Sequence, residues 1–148
     1  MSESLKARAL RLLSLREHSR AELTRKLAAH GSDDEVAAVL DRLAEVDLQS
    51  DHRFAESYIR SRQARYGSRR MAQDLKQRGV ADEVIAAALD EGRDSDDLTR
   101  ARAVWAKKFG VPPADAREWA RQARFLQGRG FGADVIHTIL KDRDDESA

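Results

Sequence analysis

The side chains best placed to act on a partner are cations. One run holds Arg60, Arg62, Arg65, Arg69, Arg70, Lys76 and Arg78, with Tyr58 and Tyr66 among them. Guanidinium and ammonium groups keep their charge and offer several donors to phosphate or carboxylate. An exposed tyrosine ring adds a face on which a base can stack. A second run holds Lys107, Lys108, Arg117, Arg121, Arg124 and Arg129. Arg117, Arg121 and Arg124 are spaced i, i+4, i+7 and share one face of a helix. Such a face is unfavourable alone and is relieved by an anionic partner. The plain alternative for both runs is a solvated helix face, with the tyrosines in a core and Asp115 and Glu118 relieving the second run.

Other groupings point away from catalysis. Asp94, Asp96 and Asp97 lack the glycine and terminal glutamate of a calcium loop, and read as a charged linker and helix cap. Gly128, Gly130 and Gly132 follow no strand and precede no Lys-Ser/Thr pair, so a helix end and turn account for them. No two of His18, His30, His52 and His137 stand three or four residues apart, so no helical pair of histidines can hold a metal. Cysteine is absent, which removes disulfides, thiol catalysis and thiolate sites. No local serine, histidine and acid motif is present. The expectation is a binding protein with no catalytic residue, no cofactor and no metal. Trp105 and Trp119 suit interface anchors or a core; their helical spacing beside Ala101, Val104, Ala116 and Ala120 favours the core.

The elements that must carry these side chains are helices. Strong helix formers dominate, Gly is limited to 8 and Pro to 2, and β-branched residues are scarce. With 41% hydrophobic residues the chain can bury a core. No apolar run of about 18 residues exists, so no membrane span is expected, and a cytoplasmic location fits. The net charge of +1 hides alternating blocks. Residues 52–80 and 99–130 each carry eight basic and two acidic groups, net +6, while residues 81–98 carry one basic and seven acidic, net −6.

A repeat orders the chain. Leu27 to Gly31 is followed by Glu35-Val36, Leu75 to Gly79 by Glu83-Val84, and Leu126 to Gly130 by Asp134-Val135. The glycine suits a left-handed helix end. The acid falls in the first turn of the next helix, where the dipole favours it. Ser19–Glu22 and Ser32–Glu35 read as capping boxes. Gly67 and Gly110 end the first helix of the second and third sets. The spacing predicts helices at about 4–16, 20–30, 33–46, 51–66, 69–78, 82–91, 96–109, 114–129 and 133–142. The predicted fold is all-α: three tandem three-helix, helix-turn-helix-like repeats in an elongated or curved arrangement. The repeats span 1–50, 51–94 and 95–148, the last with a short acidic tail.

Asp51-His52-Arg53-Phe54-Ala55-Glu56-Ser57-Tyr58-Ile59-Arg60-Ser61-Arg62 is similar to the central pattern of the RecX family. The stretch from Gly67 to Val80, Arg124 to Phe131 with Asp134-Val135-Ile136, and Ser19 to Leu23 with Leu27 resemble it too, so the likeness covers about residues 5–141. Gln122-Ala123 departs from it, where a further basic residue is expected. The resemblance implies three tandem three-helix repeats and a regulatory role; the chain is expected to be a monomer. Its partners would be the RecA recombinase, the RecA–single-stranded DNA filament and, weakly, free DNA. It would suppress the recombinase, ATPase and coprotease activities. A helix-turn-helix DNA-binding regulator and a helical adaptor with no nucleic-acid role are the alternatives. An adaptor would show little salt-dependent binding to DNA.

Overall fold

The computed structural model describes residues 3–92 and 96–146, with side chains described as far as Lys141. Asp94 of the acidic trio lies outside the described residues. Among them the chain is all-helical, in the order α1 (Leu5–Leu15), α2 (Arg20–Leu27), α3 (Asp33–Glu45), α4 (Asp51–Arg62), α5 (Ser68–Gln77), α6 (Asp82–Gly92), α7 (Asp97–Lys108), α8 (Ala116–Gly128) and α9 (Ala133–Glu146). Every helix expected from the periodicity is present. Both capping boxes form: Ser19 and Ser32 each accept the amide of a glutamate three residues on, and each glutamate accepts the serine amide in return. Glu35, Glu83 and Asp134 lie in first turns, as the repeat requires.

Two glycine expectations need correction. Gly31 is extended, with φ −171°, and α2 closes instead through a short 3-10 turn at Ala28–His30. A Cβ there would lie 2.6 Å from Leu5 Cδ1, so the end of that leucine would have to shift. Gly67 does not end α4, which stops at Arg62. The Tyr66 amide still turns back to the Arg62 carbonyl, but the Gly67 amide leaves the helical ladder for the carbonyl of Arg129.

Packing divides the chain into two compact units: Met1–Tyr58 with Asp74–Glu91, and Ile59–Gln73 with Gly92–Ala148. The core of the first unit joins Ala9 of α1, Leu23 and Leu27 of α2, and Val36, Leu40 and Leu43 of α3. Its central joint is polar. Asp51, first residue of α4, accepts the Arg20 amide at 2.8 Å and the Gln49 side-chain amide at 2.9 Å. The carboxylate thus caps the free N-terminus of α2 from a different helix. Buried Ser19 accepts the Glu22 amide and donates to the Arg78 carbonyl at 2.8 Å. Arg53 donates to Glu17 at 2.7 Å, and that pairing raises its pKa. Phe54, Ala55 and Tyr58 are buried. The motif from Asp51 to Tyr58 is therefore a structural joint.

The core of the second unit gathers Ala101 and Trp105 of α7, Leu126 of α8, Phe131, and Ile136, Ile139 and Leu140 of α9. Buried Trp105 donates to Gln122 Oε1 at 2.8 Å, and Gln122 donates in turn to the Val111 carbonyl at 3.0 Å. Position 122 faces this core, so the missing base there removes no charge from the surface.

Two outcomes follow for stability. Asp51→Ala leaves the Arg20 amide and the Gln49 side chain without their acceptor. It is expected to lower the unfolding free energy by about 1–3 kcal/mol in urea titration. A wild-type midpoint would contradict the joint. His18 is buried, with Nδ1 3.0 Å from the Arg16 carbonyl. A carbonyl cannot donate, so the ring proton sits on Nδ1. Burial lowers its pKa below 6.5, and the charges of Arg16 and Lys26 add to this against the pull of the carbonyl. As pH falls below 6.5 the unfolded chain takes up this proton before the folded one. Stability should decline over that window and level off once the folded imidazole is charged. His18→Gln should flatten this limb, and an unchanged slope would sink the assignment.

Candidate cationic binding surface

The two units sort charge in a way that the linear blocks conceal. The first unit carries 11 basic and 16 acidic side chains, net −5, and the second carries 16 and 10, net +6. The division also separates the candidate cations. Lys76 and Arg78 belong to the acidic unit, and the other eleven belong to the basic one.

The basic unit is assembled around a backbone contact. Gly67 donates its amide to the Arg129 carbonyl at 2.8 Å, and a Cβ on Gly67 would meet the Gly130 carbonyl oxygen at 2.5 Å. Gly130 has φ +94°, which L side chains rarely adopt, and a Cβ there would also run into the Arg70 amide nitrogen at 2.6 Å. Two glycines thus let the start of α5 sit against the α8–α9 turn. Arg70 uses that proximity to donate to the Gly128 carbonyl at 3.1 Å, with its guanidinium 4.2 Å from the Tyr66 ring centre. Arg129 lies over the same ring at 5.4 Å and over Phe125 at 5.1 Å. Ser68 donates its amide and hydroxyl to Asp97, which also pairs with buried Arg100.

Beside this junction lies an open groove of about 380 Å³. Ala64, Ala103, Val104 and Phe125 line its apolar part, and Arg65, Lys107, Lys108 and Arg129 supply four cations. Lys108 stands 5.4 Å from the Phe125 ring centre, and Phe109 meets that ring edge-on at 5.4 Å. The groove joins members of both basic runs, Arg65 from the first and Lys107, Lys108 and Arg129 from the second. Their separation in sequence hid this grouping.

The remaining candidates fall into two groups. Arg60, Arg69, Arg117 and Arg124 are exposed, and like Arg65 and Lys107 they make no side-chain ion pair among the described residues. Others are engaged. Arg121 pairs with Glu118 at 3.1 Å and holds that carboxyl below its usual range, aided by Gln122. Arg78 donates to the Asp74 carbonyl and lies over Tyr58, and Lys76 stands 3.9 Å from Asp82. Arg62 is half-buried and donates to Ser61 at 3.2 Å.

The stacking role offered for the tyrosines needs correction, while the core reading of the tryptophans is met. Tyr58 is not a stacking platform: it is buried, and its hydroxyl donates to Asp74 at 2.6 Å. Tyr66 is half-buried beneath Arg70. Trp105 belongs to the core, and Trp119 packs on its edge against His137. Histidine spacing alone also missed His52, whose Nε2 lies 3.0 Å from Glu91 and 3.5 Å from Glu56. These three side chains link α4 to α6.

Gly130→Ala forces a strained left-handed backbone and a clash with α5. It is expected to cost about 1–3 kcal/mol in chemical unfolding. Gly128→Ala, where a Cβ meets nothing within 4 Å, should be close to neutral. Equal effects of the two substitutions would contradict the backbone contact.

Three family models match in series: the first three-helix domain of RecX over residues 6–43, the second over 50–89 and the third over 94–140. The chain is 52% identical over 145 residues to the regulatory protein RecX of Chromobacterium violaceum, covering 97% of this chain and 93% of that one. It is 48% identical to the regulatory protein RecX of Leptothrix cholodnii, covering 97% and 91%. The crystal structure of RecX from Lactobacillus salivarius superposes with a TM-score of 0.80 at 24% identity, covering 95% of this chain and 94% of that one. Identity at this level over nearly the whole length, with all three helical domains matched in order, places the chain in the RecX family of regulatory proteins.

Proposed function

We propose that this chain binds the RecA recombinase and its single-stranded DNA filament and suppresses the recombinase, ATPase and coprotease activities. In this reading it acts in the cytoplasm as a monomer. Membership of the RecX family supports a RecA-related partner. The observation that carries the reading to particular residues is the basic unit, where Arg60, Arg65, Arg69, Lys107, Arg117 and Arg124 have no ion pair among the described residues. A net charge of +6 on one compact unit repels itself and is relieved by a polyanion, which a nucleoprotein filament presents.

A plain helix-turn-helix reading is less well supported. Sequence-specific recognition needs a helix whose polar side chains reach base edges, whereas these cations are spread over α4, α5, α7 and α8 and the turn after α4.

The direct test is RecA ATPase on single-stranded DNA with the chain titrated in. Wild type should suppress turnover. Arg117→Glu combined with Arg124→Glu should weaken suppression, because both cations are exposed on α8 and pair with no described acid. If they touch phosphate, the salt slope of filament binding should fall by about 0.7 for each phosphate no longer neutralised. Surface reversals rarely cost much stability, so the variant should stay helical. A folded double variant that suppresses as wild type does would remove α8 from the interface.

A further inference from the structure

The groove beside the Gly67–Gly130 junction is cationic, yet its aromatic rings are poorly available to a base. Non-specific single-strand binding normally combines cations with free aromatic faces. Here Phe125 already has Lys108 and Arg129 over its ring and the edge of Phe109 against it. Tyr66 is covered by Arg70 at 4.2 Å and approached by Arg129 at 5.4 Å. A base could stack on either ring only by displacing a cation. What remains open is aliphatic: Ala64, Ala103 and Val104. Around that surface stand Arg65 and Lys107, which have no ion pair among the described residues.

We propose that this groove receives an apolar side chain carried by an acidic protein segment, with carboxylates meeting Arg65 and Lys107. The inference deepens the filament reading by assigning this part of the surface to a protein face of the partner. Three features select that occupant. The volume of about 380 Å³ admits a branched aliphatic side chain together with flanking backbone. The aliphatic lining gains from apolar burial, which a phosphodiester cannot supply. The four cations give charge complementarity to carboxylates and steer their approach.

The probe is a fluorescein-labelled peptide, Asp-Glu-Asp-Leu-Asp-Glu-Asp, titrated by anisotropy at low salt against the full chain. A second peptide with glycine in place of leucine reports the apolar contribution, and a single-stranded oligothymidylate reports nucleic acid. Ala103→Trp and Ala64→Trp each fill the groove from an exposed position without changing charge. Circular dichroism checks that each stays helical, and either variant suffices if the other does not fold. The leucine peptide should bind wild type, and the glycine peptide should bind about tenfold more weakly. Each tryptophan variant should weaken the leucine peptide by about the same factor and leave the oligothymidylate unchanged. The proposal is overturned if wild type does not bind the peptide, if the glycine peptide binds equally, or if the tryptophan variants leave peptide binding intact. Parallel loss of oligothymidylate binding would also overturn it and give the groove to nucleic acid. RecA ATPase suppression by wild type is measured separately. Its absence, with the peptide results as expected, would remove the filament reading and leave the groove assignment standing.

Discussion

The basic unit depends on one close backbone approach. The Gly67 amide reaches the Arg129 carbonyl at 2.8 Å because neither Gly67 nor Gly130 has a Cβ to keep the two stretches of chain apart. An amide hydrogen bond of this kind contributes only about 1 kcal/mol net. Its structural consequence is larger. It brings the start of α5 against the α8–α9 turn, so Arg70 can reach the Gly128 carbonyl and share the Tyr66 ring with Arg129. Cations stacked on a partly buried aromatic have fewer rotamers to lose on binding, which lowers the entropic cost of engaging a partner. Arg129, which lines the groove, is in this sense placed beside a contact between two main chains.

Charge sorting gives the same unit its chemical character. The acidic unit takes many of its acids into capping and joints: Glu22 and Glu35 in capping boxes, Asp51 on the Arg20 amide, Glu17 on Arg53, and Glu56 and Glu91 on His52. Those carboxylates work within the fold. The basic unit has fewer acids to offer, and Asp97 and Glu118 are already used by Arg100 and Arg121. Arg60, Arg65, Arg69, Lys107, Arg117 and Arg124 make no ion pair among the described residues. Exposed ion pairs contribute little to stability, so this asymmetry has little structural benefit and points to association.

Much of the fold was legible in the sequence, and the reasons are local. Capping serines, first-turn acids and apolar residues at helical spacing act within a few residues, so their pattern survives in one dimension. Gly79 and Gly130 adopt the left-handed conformation the repeat implies, with φ +84° and +94°. What could not be read is where distant segments meet. Gly31 packs against the end of Leu5, and Gly67 is kept small by the turn at Gly130. Gln122 looks like a lost cation in the sequence and is in the structure a buried partner of Trp105. The same limit applied to the site. Arg65 and Lys107 are 42 positions apart and share one groove, while Lys76 and Arg78, close to Arg70 in sequence, fall in the acidic unit. The aromatic content of the motif also misled: Tyr58 is held inside by Asp74, a residue sixteen positions away.

In the proposed reading the basic unit is the partner-binding part of the chain and the acidic unit is not. Amide hydrogen exchange, measured on the free chain and on the chain bound to RecA–single-stranded DNA filaments, tests it most directly because it reports every segment at once. Added protection should concentrate at residues 62–66, 103–108 and 125–130, with α1 to α3 unchanged. Added protection confined to α1–α3, with those three segments exchanging as in the free chain, would contradict it.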